Sequence, residues 1–244
     1  MLRDALDYPR RGDDAVTTVL IGGLLTLFGV LLLPLVPILG YAIRVFRTSA
    51  ADEEQPPVFD DWGDLLVDGL RGLAVTLAYF AVPVVTSLLA VLAVAVFVPV
   101  AVVGGGSGPD PTAASAVGGL TLLVFGLLGL VSIVWSLAAG FLLPAALARL
   151  AATDEIGSAF ALRSVWRTVA TSGYVTAWLL ALAVGVATSV VSGLLGFLPV
   201  VGAVAAAFVA WYATVVSARL YAAGVDAATP TPPGGDEPTT EQAI

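Results

Sequence analysis

Four stretches of this chain, residues 15–43, 72–109, 111–148 and 168–218, contain no Asp, Glu, Lys, Arg or His. A helix needs about 20 consecutive apolar residues to cross the hydrocarbon of a bilayer, and every one of these stretches is longer. The chain is therefore expected to fold as an all-α, polytopic helical membrane bundle. The same feature narrows function, because ionisable groups inside a membrane are the usual mark of ion paths and proton relays.

Composition agrees. Hydrophobic residues make up 59% of the chain and charged residues 11%, against roughly half and a quarter in soluble domains. The polar pieces that remain are too short to bury cores of their own. Cys and His are both absent, so disulfides, thiol nucleophiles and His-based general bases are excluded, and no metal or other cofactor is expected. The ten cations are all Arg, and 18 acids give a net charge of −8. Such a surface repels nucleic acid, which is not an expected partner. An acidic, Lys-free surface fits adaptation to molar salt, where repulsion is screened within a few ångströms; GC-rich codon usage favours the same composition. Arg10-Arg11 is followed by Gly12, Asp13 and Asp14 rather than by apolar residues, so residues 15–43 are expected to be retained as a membrane segment rather than cleaved as a signal.

Residues 1–14 read as a polar N-terminal segment, 15–224 as the transmembrane domain, and 225–244 as a disordered acidic tail rich in Pro and Thr. Pro34 and Pro37 predict a break in 15–43, which makes it either one kinked span or a hairpin of 15–33 and 37–50. Asp60 or Asp61 is placed to cap the helix that follows the acidic loop 48–61. In that helix Trp62, Leu65, Leu66, Leu70 and Leu73 share one face, with Asp64, Asp68 and Arg71 on the other. This pattern predicts an interfacial amphipathic helix feeding a span over 72–103. The glycine-rich turn 104–111 leads to a span over 114–148, and Gly196 to Pro199 divide the rest into a hairpin of 170–195 and 199–223. Five or six membrane segments result. Arg44, Arg47, Arg71, Arg149, Arg163, Arg167 and Arg219 mark one side as cytoplasmic, which places the C-terminus in the cytoplasm.

Small residues recur every four positions near the end of the chain, at Ala181, Gly185, Ser189 and Gly193 and again at Gly202, Ala206, Ala210, Thr214 and Ala218. They are expected to pack the last hairpin, with a dimer interface as the alternative. Asp60, Asp61, Asp64 and Asp68 lack cation-loop spacing and read as a hydrated helix start. Arg163 and Arg167, one turn apart, suit either a phosphate headgroup or simple snorkelling. Trp135, deep in a span, either lines a cavity or packs in the core.

The run Gly40-Tyr41-Ala42-Ile43-Arg44-Val45-Phe46-Arg47, a short acidic loop, and then Pro57-Val58-Phe59-Asp60-Asp61-Trp62-Gly63, with Asp68-Gly69-Leu70 beyond it, forms the most distinctive motif. It resembles the archaeal multi-pass membrane proteins grouped as domain of unknown function 4013, frequent in haloarchaea and methanogens. The resemblance implies the architecture and a haloarchaeal type of source, with no activity attached. The motif residues carried over are Gly40, Tyr41, Arg44, Arg47, Pro57, Phe59, Asp61, Trp62, Gly63 and Gly69. The expected function is that of a non-enzymatic scaffold or accessory subunit of the cell envelope. It would lie in the cell membrane with the lipid bilayer, and with a protein partner or a second copy. The alternative is a carrier or channel for a neutral or lipidic small molecule.

Overall fold

A computed structural model describes residues 1–103 and 111–228. Among them all regular structure is helical: α1 (Leu2–Asp7), α2 (Ala15–Leu27), α3 (Leu35–Ala50), α4 (Trp62–Tyr79), α5 (Ala81–Val103), α6 (Pro111–Thr153), α7 (Ile156–Ala159), α8 (Leu162–Val169), α9 (Ser172–Leu195) and α10 (Val201–Asp226). The expected turn over 104–110 and the tail from 229 lie outside the described residues.

Among the described residues three helices are long and apolar enough to cross a membrane: α6 over Leu123–Thr153, α9 and α10. The α4–α5 pair makes a fourth if it is counted as one span, bent by 62° at Phe80. At 13 residues α2 is about 20 Å long, less than the roughly 30 Å of hydrocarbon. The break in the first apolar stretch falls over 28–34, where a 3-10 turn and a left-handed Leu32 (φ 64°) precede Pro34. The two arms return to one end of the molecule. The Tyr8 hydroxyl, just before α2, lies 3.2 Å from the Thr48 hydroxyl and donates to the Gln55 carbonyl at 3.3 Å.

The N-terminal segment is ordered against α10 rather than merely polar. Tyr8 and Ala5 are buried, the Arg219 guanidinium sits 4.9 Å over the Tyr8 ring, and the Tyr212 hydroxyl donates to the Leu6 carbonyl. Arg11 bonds Asp4 at 2.7 Å and holds that carboxyl below its ordinary value of 3.8. A lowered folded-state value means that this contribution is complete above the usual carboxylate range and lost as pH falls through the lowered value. A spin label at position 2 is therefore expected to gain mobility only below about pH 4. Mobility already gained near neutral pH would contradict the pairing.

Two prolines shape the bundle, and an indole answers each. Proline has no N–H, so the carbonyl four residues earlier is left free. Pro83 frees Tyr79 O, which accepts from Trp135 Nε1 at 2.8 Å; Pro144, inside α6, frees Gly140 O, which accepts from Trp178 Nε1 at 3.2 Å. Trp135 thus joins α6 to the α4–α5 bend, beside a Thr86–Ser132 hydroxyl contact between α5 and α6. Trp135→Phe or Trp178→Phe is expected to destabilise by about 1 kcal/mol, read from unfolding in detergent. In a Pro144→Ala background, which restores the intrahelical bond, Trp178→Phe should lose most of that effect.

Packing is tightest at the end where the arginines lie. Ile43, Phe46, Val75, Tyr79, Leu150, Val165, Val169 and Tyr174 form one cluster, joining α3, α4, α6, α8 and α9. Tyr8, Tyr41, Val45, Leu65, Trp211 and Val215 form a second between α3, α4 and α10. Away from that end, α5, the described outer part of α6, and α9 present long rows of exposed Leu and Val. In water such rows would drive aggregation; in lipid they are solvated.

Candidate functional site

The motif over 40–69 folds into one unit. Antiparallel α3 and α4 cross where two glycines face opposing backbone. A Cβ on Gly40 would lie 2.1 Å from Leu65 O, and one on Gly69 would lie 2.0 Å from Val36 O. This approach draws one residue from each expected face, Leu65 and Asp68, to the inner side of α4. Its inward face is Leu65, Asp68, Gly69, Gly72, Val75 and Tyr79, while Trp62, Leu66 and Leu70 point outward. Glycine allows the contact, and Asp68 faces inward because α3 supplies its counter-charge.

That counter-charge is Arg47. Its guanidinium grips Asp68 through both terminal nitrogens, the longer bond at 3.0 Å. It also reaches Asp154 and donates from Nε to Ala151 O at 3.2 Å, both at the end of α6. Arg71 lies 3.8 Å from Asp68 and 3.7 Å from Asp154. With Asp64 and Val67 these groups line a polar pocket of about 380 Å³. One arginine therefore fastens α3, α4 and α6 together. Among the described residues the Asp64 side chain has no hydrogen-bond or ion-pair partner, and no group of three or more acids, His or Cys is arranged to hold a metal.

Arg44 organises the loop. It donates to the carbonyls of Val58, Asp60 and Asp61 at 3.3, 3.0 and 3.1 Å, and to the Asp60 carboxylate at 2.6 Å. Asp61 does occupy the N-cap of α4, but with φ 40° and no side-chain capping bond. The Asp60 carboxylate is engaged with Arg44, and the left-handed turn at Asp61 aims its carbonyl at the same guanidinium. Phe59 stacks on Tyr41 at 4.8 Å and on Trp62 at 5.7 Å, and Trp211 of α10 closes the cluster 4.9 Å from Tyr41. The motif residues Gly40, Tyr41, Arg44, Arg47, Phe59, Asp61, Trp62 and Gly69 thus meet in one place. Pro57 lies half-buried in the loop, and Gly63 has open space where a Cβ would stand.

A second feature is a cavity of about 500 Å³, broadly open to the surface, among α3, α6, α9 and α10, with an almost wholly apolar lining. Its few polar groups come from Thr188, Thr214, Ser217 and Tyr221, and Pro144 and Gly185 also line it. The small-residue stripes distribute unevenly. Gly202 abuts Leu195 O in the α9–α10 turn, and Ala210 faces the cavity, while Ala206 is half-buried. Gly185 and Gly193 have nothing within 4 Å of a Cβ position, and Ser189 is exposed, donating to Gly185 O. Ala181 and Ala218 are buried, and further close approaches involve Gly22 on the Trp211 ring, Gly23 on Phe208, and Gly224 on Ala177. Sequence reasoning missed Trp211, Tyr8 and Asp154. The adjacent Gly22-Gly23 pair was the available signal that a bulky ring lies across α2.

Membrane-length helices, charge-free apolar exteriors and a polar end tied by arginines define a polytopic helical membrane protein. The chain belongs to the family described as protein of unknown function (DUF4013), whose sequence model covers residues 23–197. That range contains the whole α3–loop–α4 unit and stops at the turn into α10. No curated protein and no solved structure matches the chain.

Proposed function

We propose that this protein is a non-enzymatic scaffold or accessory subunit of the cell envelope. One observation supports the reading above others: the motif's polar groups are engaged within the fold. Arg44 binds the loop, Arg47 binds α4 and α6, and Asp68 is buried between guanidinium groups. A fold whose defining motif builds its own frame suits a platform on which another membrane protein assembles. In the same reading α2 and α3 form a hairpin, which gives six membrane segments with both termini in the cytoplasm. The Tyr8 contacts with Thr48 and Gln55 support it. Single cysteines at Ala15 and Ala51 are expected to label from the same side. An archaeal, halophilic source is also proposed, on the Lys-free composition with its net charge of −8.

Purification from native membranes followed by mass spectrometry tests the function. A stoichiometric protein partner is the expected result. A purely monomeric protein that moves a solute across vesicles would overturn it. The second reading, a carrier for a neutral or lipidic molecule, is favoured by the apolar cavity, and a tightly held lipid with no protein partner would select it.

A further inference from the structure

The α7–α8 connector joins the end of α6 to the start of α9, at the polar end of the bundle. Its position is fixed from several sides. Arg149 donates to Ser158 O at 3.1 Å and to the Ser164 hydroxyl at 2.6 Å, and the Tyr79 hydroxyl donates to Ala159 O at 2.8 Å. Thr171 caps α9 by accepting from Tyr174 N at 3.4 Å and returns its own hydroxyl to Thr168 O at 2.8 Å.

Around α8 the side chains fall into four stripes. Val165 and Val169 are buried in the main cluster. Ser164 and Thr168 lie on one flank of them; Leu162 and Trp166 lie on the other, 65% and 64% exposed. Arg163 and Arg167 form the fourth stripe, turned away from the bundle and next to the exposed apolar pair. Residues four apart on a helix stand about 6 Å from each other, so the two guanidinium groups share one patch.

The charge pattern makes this patch unusual. Arg11, Arg44, Arg47, Arg71 and Arg219 all pair with carboxylates. Arg10 stacks on Tyr212 and Arg149 is bonded as above. The Arg163 and Arg167 side chains have neither ion pair, hydrogen bond nor ring contact among the described residues, in a chain with 18 acids. Glu155, on the same connector, stays outside ion-pair range of both. A rigid helix at the end of membrane-spanning segments, with an exposed Trp and Leu beside two unpaired arginines, has the chemistry of a headgroup contact. Indole rings favour the interface, and guanidinium forks match phosphate oxygens.

We propose that α8 binds an anionic phospholipid, with Arg163 and Arg167 on the headgroup phosphate and Leu162 and Trp166 in the adjoining acyl region. The occupant is a membrane lipid rather than a free anion, because exposed Leu162 and Trp166 stand beside the two arginines.

The test mixes the purified protein with equal amounts of phosphatidylglycerol and phosphatidylcholine and counts retained lipid by native mass spectrometry. The wild type is expected to retain the anionic lipid preferentially, and R163Q/R167Q to lose on the order of tenfold in that preference. The charge-conserving R163K/R167K should keep it within about twofold, which separates loss of contact from loss of fold. Arg3→Gln, at another unpaired arginine, should leave it unchanged. Equal retention of both lipids by the wild type would overturn the proposal. So would an unchanged preference in R163Q/R167Q, an equal loss in Arg3→Gln, or displacement of the lipid by inorganic phosphate.

Discussion

Gly69→Ala is expected to destabilise the protein by about 3 kcal/mol, the upper end of the range for overpacked cores. The added methyl would stand 2.0 Å from Val36 O. That obstacle is backbone, so no rotamer change can relieve it, and α3 and α4 must separate. Gly40→Ala meets Leu65 O at 2.1 Å and should behave alike. The two glycines serve one crossing, so the double variant should lose less than the sum of the singles. Gly63→Ala, in the same motif but facing open space, should change stability by no more than about 0.5 kcal/mol. Unfolding in mixed micelles followed by tryptophan fluorescence measures all four. Equal effects at Gly69 and Gly63 would remove the crossing from the account.

The second large effect is expected at Asp68. Its side chain is 8% exposed and lies between Arg47 and Arg71. Asp68→Asn would leave two guanidinium groups beside a neutral amide. Breaking a buried pair from one side costs about 3–5 kcal/mol; Arg47 is one-third exposed and keeps Asp154, so roughly 2–3 kcal/mol is expected. Removing both charges, as in R47M/D68L, should recover most of that loss, because an apolar pair leaves no stranded ion. Asp154→Asn, at a carboxylate 63% exposed, should cost no more than about 1 kcal/mol. A double variant as unstable as Asp68→Asn would mean that the pairing itself contributes net stability.

Much of this was legible in the sequence, for a physical reason. Lipid removes the option of leaving backbone unpaired, so a charge-free run of sufficient length forces a helix. Where helices over 170–195 and 199–223 were expected, α9 runs Ser172–Leu195 and α10 runs Val201–Asp226. The motif glycines and arginines were also visible as a set, although not what they do. Periodicity placed Asp68 on a polar face, and a polar face normally meets water. Here it meets Arg47, 21 residues away in the chain, and no local pattern encodes that pairing. The break before Pro83 was foreseeable, but its completion by Trp135 was not, since a partner 56 residues distant is a tertiary fact. The α9 stripe teaches the converse. Spacing every four residues defines a face without saying what stands opposite, and Gly185 and Gly193 look onto open space.

The sequence separations of these contacts also form a timetable. Chains emerge at about 5–20 residues per second. Asp68 follows Arg47 by 21 residues, so the arginine waits about one to four seconds for its first partner. Asp154 arrives 107 residues after it, roughly five to twenty seconds on. The Tyr212 bond to Leu6 spans 206 residues and closes after about ten to forty seconds, with the Arg219 contacts to Asp4 and Tyr8 later still. During synthesis the Arg11–Asp4 pair of the N-terminal segment comes first, and the α3–α4 unit is the next part able to neutralise its own charge. The N-terminal helix, made first, has to remain undocked until α10 is delivered.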